Sequence, residues 1–428
     1  MALSFKAGAF SMTSGATGNL SVTGVGFQPK AIIFVATKRT GGTDGAAGTT
    51  NWSFGFATSS SARGAIWCGS SNGGSNTSDS RVDDSKCLVV WTSGTPTNAG
   101  QADFVSFDSD GFTVNRTTSF TASYRVGYMA FGGDDITDVA CGTFTAPTTT
   151  GVVNYTGPGF QPDCLFLLGS NVTATLPANA VNASYGFGVA TATQQFTVSG
   201  GGTDGSSGAR KFCNTAKAFV RVTPSANTTD DEADLDAFTS SGFDLDWTKK
   251  SASAVHMFYL AIKGGSYEIG DFTTPGSATT FAESGLAFQP RGLIVTSACV
   301  GSASSGSTTT NDSMEGMIGA ASGTTSEWSA WSARVEATGE GDCRFENDAS
   351  VQSSAWGTGA VELLANLTTV ASDGFTMTET DYPGYAIFCP WLAIGDSPPA
   401  AGHPTVKRWG GMQFMPGGSM LSPGRWRW

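Results

Sequence analysis

A five-residue stretch recurs three times in this 428-residue chain, and that recurrence limits what the chain can fold into more than any other feature. Gly26-Phe27-Gln28-Pro29-Lys30 leads into Ala31-Ile32-Ile33-Phe34-Val35. Gly159-Phe160-Gln161-Pro162-Asp163 leads into Cys164-Leu165-Phe166-Leu167-Leu168, and Ala287-Phe288-Gln289-Pro290-Arg291 into Gly292-Leu293-Ile294-Val295. The three phenylalanines lie 133 and 128 residues apart. Proline fixes φ and donates no hydrogen bond, so it fits the first position of a strand, and the β-branched and aromatic residues behind it suit a largely buried one. Each copy predicts a turn and then a strand.

The rest of the unit repeats as well. A first strand ends on phenylalanine in Phe5 to Phe10, Val139 to Phe144 and Tyr267 to Phe272. A small-residue strand follows the proline strand at Phe54-Gly55-Phe56-Ala57, Tyr185 to Ala190 and Glu315 to Ala320. Asp110-Gly111-Phe112, Ser241-Gly242-Phe243 and Asp373-Gly374-Phe375, with glycines 131 and 132 residues apart, read as turns feeding half-buried strands. Val126 to Gly133, His256 to Gly265 and Ile387 to Gly395 close the three copies. The period divides the chain into residues 1–138, 139–265 and 266–396, followed by a C-terminal segment, 397–428. No helical period of ten residues appears; even Val361 to Leu367 reads as a strand by its place in the unit. A sheet with one apolar face must cover it, so the expected fold is all-β: three tandem antiparallel β-sandwich repeats that abut, plus an extended C-terminal arm. Composition agrees, with 57 glycines and only 14% charged residues, while 28 Phe and 11 Trp are too many for a disordered chain.

Charge narrows the function classes. A net charge of −12 opposes binding to nucleic acid or to anionic membrane, and no apolar segment reaches spanning length. The N-terminus lacks the pattern of a signal peptide, so synthesis and use without Sec-type export are expected. All four charges beyond Asp396 are basic, Lys407, Arg408, Arg425 and Arg427, against an acidic body. Eight cysteines do not recur in register, as a disulfide framework in a repeated domain would, and no Cys/His cluster has zinc spacing. Buried, reduced thiols are expected, with no metal and no cofactor.

Candidate chemistry is sparse. His256 lies on an apolar closing strand and His403 precedes a proline; with no Gly-x-Ser-x-Gly, neither supports a hydrolase, and no catalytic residue is assigned. The acidic run Asp230-Asp231-Glu232-Ala233-Asp234-Leu235-Asp236 could serve glycoside hydrolysis or calcium, but reads more simply as a solvated strand edge protected by charge. Two Gly-Gly-Thr-Asp-Gly copies, at 41–45 and 201–205, are out of phase with the repeat and read as loops. Exposed aromatics on a sandwich can stack on sugars, and Trp52, Trp67, Trp328 and Trp331, with Trp91 and Trp356, are candidates for glycan contact; interior packing is the alternative. In the C-terminal segment, Trp409, Phe414, Arg425, Trp426, Arg427 and Trp428 are of the types favoured at interface hot spots and are candidates for an assembly anchor.

Gly26 to Phe34, Ser106-Phe107-Asp108-Ser109-Asp110-Gly111-Phe112 and the closing Ala130-Phe131-Gly132-Gly133 together resemble the repeated β-sandwich domains of bacteriophage virion proteins of the tail, fibre or head-decoration type. The resemblance covers Met1 to about Asp396, and the third copy departs from it with Ala287 and Cys389-Pro390-Trp391. It implies a structural, non-enzymatic component of a virion, of the tail or fibre rather than the head surface, made in the host cytoplasm and assembling through its C-terminal arm. Other virion proteins and further copies of the chain are the partners it implies. The alternatives are a receptor- or glycan-binding module facing a host-surface glycan, and last a polysaccharide-degrading enzyme.

Overall fold

The structure is a computed structural model describing residues 2–397, 408–409 and 412–413, apart from 41–44, 48, 72–76, 93–96, 207, 299–312, 337, 339, 356–359, 383 and 385. Its described secondary structure is strand throughout, arranged in pairs of antiparallel sheets. In the first unit, six strands run in the order Leu3–Met12, Tyr124–Gly133, Pro29–Thr40, Thr50–Ala57, Arg63–Ser70, Ser78–Asp83. A four-stranded sheet, Gly18–Thr23, Gly111–Thr118, Thr97–Asp108, Leu88–Thr92, covers one face. The same order returns with Asp138–Thr145, His256–Lys263, Cys164–Gly169, Ala183–Ala190, Gln195–Gly202, Ala209–Asn214 under a second four-stranded sheet, Gly151–Tyr155, Gly242–Lys249, Thr229–Thr239, Phe219–Val222. It returns again with Ser266–Thr273, Phe388–Gly395, Pro290–Ser297, Ser313–Ala321, Glu327–Val335, Gly341–Glu346 under Thr280–Ser284, Gly374–Asp381, Val361–Ala371, Val351–Ser354.

The large sheets are buried on both faces, which is why their strands are apolar without alternation. Ile32, Phe34 and Ala36 point into the first unit's own sandwich, while Ala31, Ile33 and Val35 point the other way. There they join Cys164, Phe166 and Leu168 of the second unit and Ile294 of the third in one core shared by all three. The three sandwiches thus close around a common centre with their small sheets outward.

Repeated glycines mark the tight places of this plan. A Cβ on Gly55, Gly188 or Gly319 would lie 1.8, 1.8 or 1.9 Å from the carbonyl oxygen of Cys87, Ala218 or Ser350. The segment entering the small sheet therefore crosses the large one at van der Waals contact, and only glycine fits. The first-strand glycines Gly8, Gly142 and Gly270 likewise lie under the rings of Tyr128, Tyr259 and Trp391.

The recurrent Phe-Gln-Pro resolves into three tasks. Phe27, Phe160 and Phe288 are half-buried against their own sandwich cores. The Gln28 and Gln161 amides donate to the carbonyls of Phe107 and Phe238 at 3.0 and 3.1 Å, fastening the turn to the small sheet. The residue after proline ties down the end of the closing strand. Lys30 donates to the carbonyls of Gly133 and Ile136, Asp163 accepts from the Gly264 N–H, and Arg291 pairs with Asp396.

Two short strands leave their own unit. Ala178–Val181 of the second pairs with Ser78–Asp83, at the edge of the first unit's large sheet. Gly45–Ala47 of the first pairs with Gly341–Glu346, the equivalent edge of the third.

The acidic run requires a correction. Thr229–Thr239 is an inner strand between Phe219–Val222 and Gly242–Lys249, so edge protection does not explain its charges. All but Asp236 are neutralised in place. The Asp231 side chain is fully buried against Arg221 at 2.6 Å and Lys250 at 2.7 Å, while Asp230 pairs with Arg221 and Asp234 with Lys217.

Candidate functional site

The registers make Ser70, Gly202 and Arg334 equivalent, and all three meet at the centre of the molecule. A Cβ on Gly202 would be 2.7 Å from Arg334 Nη1 and 3.3 Å from Ser70 Oγ, so one arginine fills a space that two small residues vacate. Arg334 is fully buried. It donates to Ser78 Oγ of the first unit at 2.6 Å and to the carbonyls of Thr203 and Ser206 of the second at 3.0 and 2.5 Å. Burial pulls the guanidinium below its ordinary pKa, partly offset by the charges of Asp204 and Glu336. The second Gly-Gly-Thr-Asp-Gly copy is therefore a docking loop, since Asp204 also accepts from the Ser78 N–H at 2.8 Å. Residues 41–44 of the first copy lie outside the described residues.

Around this point the second and third units are joined by ions, Lys211 to Glu315 at 2.9 Å and Arg210 to Glu336 at 2.6 Å. Besides Arg334, the third and first are joined by the Asn51 N–H to Ser332 Oγ at 3.0 Å and the Trp328 indole N–H to the Tyr128 carbonyl at 3.1 Å. Bulk is matched to its absence: the Trp328 ring covers Gly127, and the Phe258 ring covers Gly64.

Next to the junction, within the first unit, is a cavity of about 260 Å³. Thr50 and Asn51 line it from one strand, Ser70 and Ser71 from the end of the next, and Trp91 and Thr92 from the small sheet. Lys38 and Thr49 complete the lining. Three polar atoms of these residues, Thr49 Oγ1, Asn51 Oδ1 and Trp91 Nε1, lack a hydrogen-bond partner among the described residues, although Asn51 is only 2% exposed. Each such group costs about 1–3 kcal/mol if it stays unpaired. The Asn51 amide nitrogen donates to the Trp91 carbonyl at 3.5 Å, and the Arg81 guanidinium lies 4.2 Å from the Trp91 ring centre. At the position equivalent to Trp91 the other units carry Val222 and Ser354.

The tryptophans proposed for glycan contact are distributed differently. Trp52, Trp67, Trp328 and Trp331 are all fully buried, and an indole without an exposed face cannot stack on a sugar. Trp52 stacks on Phe54 at 5.1 Å in the shared core, Trp67 packs with Ala65 and Val89, and Trp331 donates to Glu315 at 3.0 Å. Their strands are covered on both faces, which no single strand reveals in sequence. Trp91 alone among the described candidates is half-buried, and Trp356 lies outside the described residues.

Of the proposed anchor residues, Trp409 falls in a two-residue strand, Arg408–Trp409, paired with Met412–Gln413. Phe414, Arg425, Trp426, Arg427 and Trp428 lie outside the described residues. His256 is half-buried and equivalent to Arg125 and Phe388, because the registers place it opposite Thr145 as Arg125 is opposite Ser11 and Phe388 opposite Thr273. His403 is not among the described residues. Cys68, Cys87, Cys141, Cys164, Cys213, Cys343 and Cys389 are buried free thiols, and burial pushes Cys141 and Cys343 up to about 12. Among the described residues no group of three or more His, Cys, Asp or Glu is placed to hold a metal ion. Asn51, Thr49 and Lys38 had no signal in the sequence, being one amide, one hydroxyl and one amine in ordinary strand and turn contexts.

No protein-family model matches the chain, and no curated protein matches it in sequence. Among solved structures, the crystal structure of the STIV MCP, a viral major capsid protein, aligns with 61% of this chain and 95% of its own at 9% identity. The TM-score is 0.19, too low to carry an argument about fold or function.

Proposed function

We propose that the protein is a structural component of a bacteriophage particle, of the tail or a fibre rather than the head surface, incorporated through the segment beyond Ser397. The observation that supports this reading is the shared core. Three sandwiches that could each have been independent instead spend their charged and aromatic side chains on one another, giving a single body that faces outward with the same small sheet three times. Such a body suits a part that bears load among repeated neighbours. In this reading its partners are other virion proteins and further copies of the chain, its location is the virion, and it performs no catalysis.

The test is a truncation, and the structure places the cut. The Ser397 N–H donates to Asp135 at 2.5 Å and its hydroxyl accepts from the Gly265 N–H at 3.0 Å, so Ser397 belongs to the body. Removing 398–428 is expected to leave the unfolding temperature of the purified protein unchanged and to abolish its incorporation into particles. Particles that assemble with the truncated chain at the normal copy number would sink the proposal.

A further inference from the structure

We propose that the cavity beside Trp91 binds a single acidic sugar residue, a role separate from assembly. Its size sets the first limit. At about 260 Å³ it falls below the range that drug-sized ligands occupy, yet it exceeds the ~30 Å³ of a water molecule several-fold, so one small polar ring fits and an oligosaccharide does not.

The lining sets the second limit. Thr49, Thr50, Ser70, Ser71 and Thr92 contribute five hydroxyls, and Asn51 an amide, to so small a space; the hydroxyls of Thr50, Ser70, Ser71 and Thr92 bond to Ala333, Ser78, Thr77 and Thr97, which leaves that of Thr49 open among the described residues. An apolar ligand would strand the atoms left open, Thr49 Oγ1, Asn51 Oδ1 and Trp91 Nε1, whereas a ring that bears hydroxyls can both donate and accept there. Of the three unpaired atoms, Asn51 Oδ1 requires a donor, Trp91 Nε1 an acceptor, and the Thr49 hydroxyl takes either. A sugar offers both.

Charge sets the third. Among the described residues Lys38 is the one cation of the lining, no carboxylate lines the cavity, and Lys38 has no ion-pair partner. An ammonium beside hydroxyls and an amide favours a ring carrying a carboxylate over a neutral one.

The site is also built to hold its shape. Asn51 is tied through its N–H to Ser332 of the third unit and through its amide nitrogen to Trp91, and Arg81 backs the Trp91 ring. The fold does not require it, because at the equivalent place in the second unit Val222 and Pro224 close over Gly201. An uncommon side chain beside a cavity that the second unit fills is what recognition by a single unit calls for.

The experiment is a titration of the full-length protein with glucuronate, glucose and acetate, followed by ligand-observed NMR and calorimetry. Glucuronate is expected to saturate with a Kd on the order of 1 mM, glucose about tenfold more weakly, and acetate not at all. Asn51→Ala and Trp91→Phe should each weaken glucuronate about tenfold, and Lys38→Met should make glucuronate and glucose equal. Lys38→Met removes no packing from the core, so it keeps the test valid if either other variant unfolds. Absence of saturable glucuronate binding at about 50 mM, which corresponds to solvent water alone satisfying the cavity, would overturn the proposal. So would binding that survives both Asn51→Ala and Lys38→Met. Neither result bears on particle incorporation, which is read from the truncation alone.

Discussion

Lys30, Asp163 and Arg291 stand at one position of the repeat and differ in charge, yet each closes the same turn. A position can therefore keep its geometric task while its chemistry inverts, because a strand end exposes both N–H and C=O groups and either sign finds a partner. Glu327 and Gln195 show the opposite case, one task and nearly one chemistry. Glu327 accepts from the Leu367 N–H at 3.1 Å, as Gln195 does from Leu235 at 2.8 Å, but the carboxylate is 8% exposed and burial pushes it up to about 7. The native state then holds a proton that the unfolded chain releases above 4.5, so stability is full at low pH and falls as pH rises from about 4.5 to about 7. Glu327→Gln is expected to match the parent near pH 4 and to exceed it by up to about 3 kcal/mol at pH 8, measured by urea unfolding. Parallel pH profiles for the two proteins would contradict this.

At the scale of the element, Thr229–Thr239 shows how an inner strand carries five carboxylates. Burial alone would push the Asp231 carboxyl up, but the Arg221 guanidinium, the Lys250 ammonium and the Ser251 N–H outweigh it and leave the group below its ordinary value. Its contribution to stability is accordingly present above the usual carboxylate range and lost as pH falls through and below it. Lys250 moves down for the opposite reason, because burial lowers it and outweighs the bond to Asp231. Asp231→Asn would leave two buried cations sharing an amide. It should cost about 3–5 kcal/mol in urea unfolding at pH 7, whereas the same change at Asp236, which has no ion pair among the described residues, should cost less than about 0.5 kcal/mol. Equal losses would mean that the network is no more than a surface feature.

For the whole molecule the shared core predicts cooperativity. Phe166, Phe187, Phe196 and Leu260 of the second unit are buried by the other two units as well as by their own strands. Calorimetry is expected to show one transition with equal calorimetric and van't Hoff enthalpies, unusual for a chain of this length. Residues 139–265 expressed alone should aggregate, because one whole sheet face would be exposed. Three resolved transitions, or a soluble folded fragment, would speak for independent sandwiches.

The sequence by itself determined the strand content, the threefold repeat and the turns. Those depend on local chemistry, a proline before an apolar run or a glycine where the backbone must pass closely, and local chemistry is written in neighbouring residues. It also contained Trp91, named beside the four tryptophans put forward for glycan contact. Only the tertiary structure decided which tryptophans see a cavity and which see a core, that an acidic strand lies inside a sheet, and that Arg334 holds three units together. The reason is that burial of a strand's second face, and the pairing of a charge across 100 residues or more, are set by what packs against it. The recurrent Phe-Gln-Pro strand carried both halves of that lesson: its apolar run announced a largely buried strand, and only the fold disclosed that one of its faces belongs to all three units.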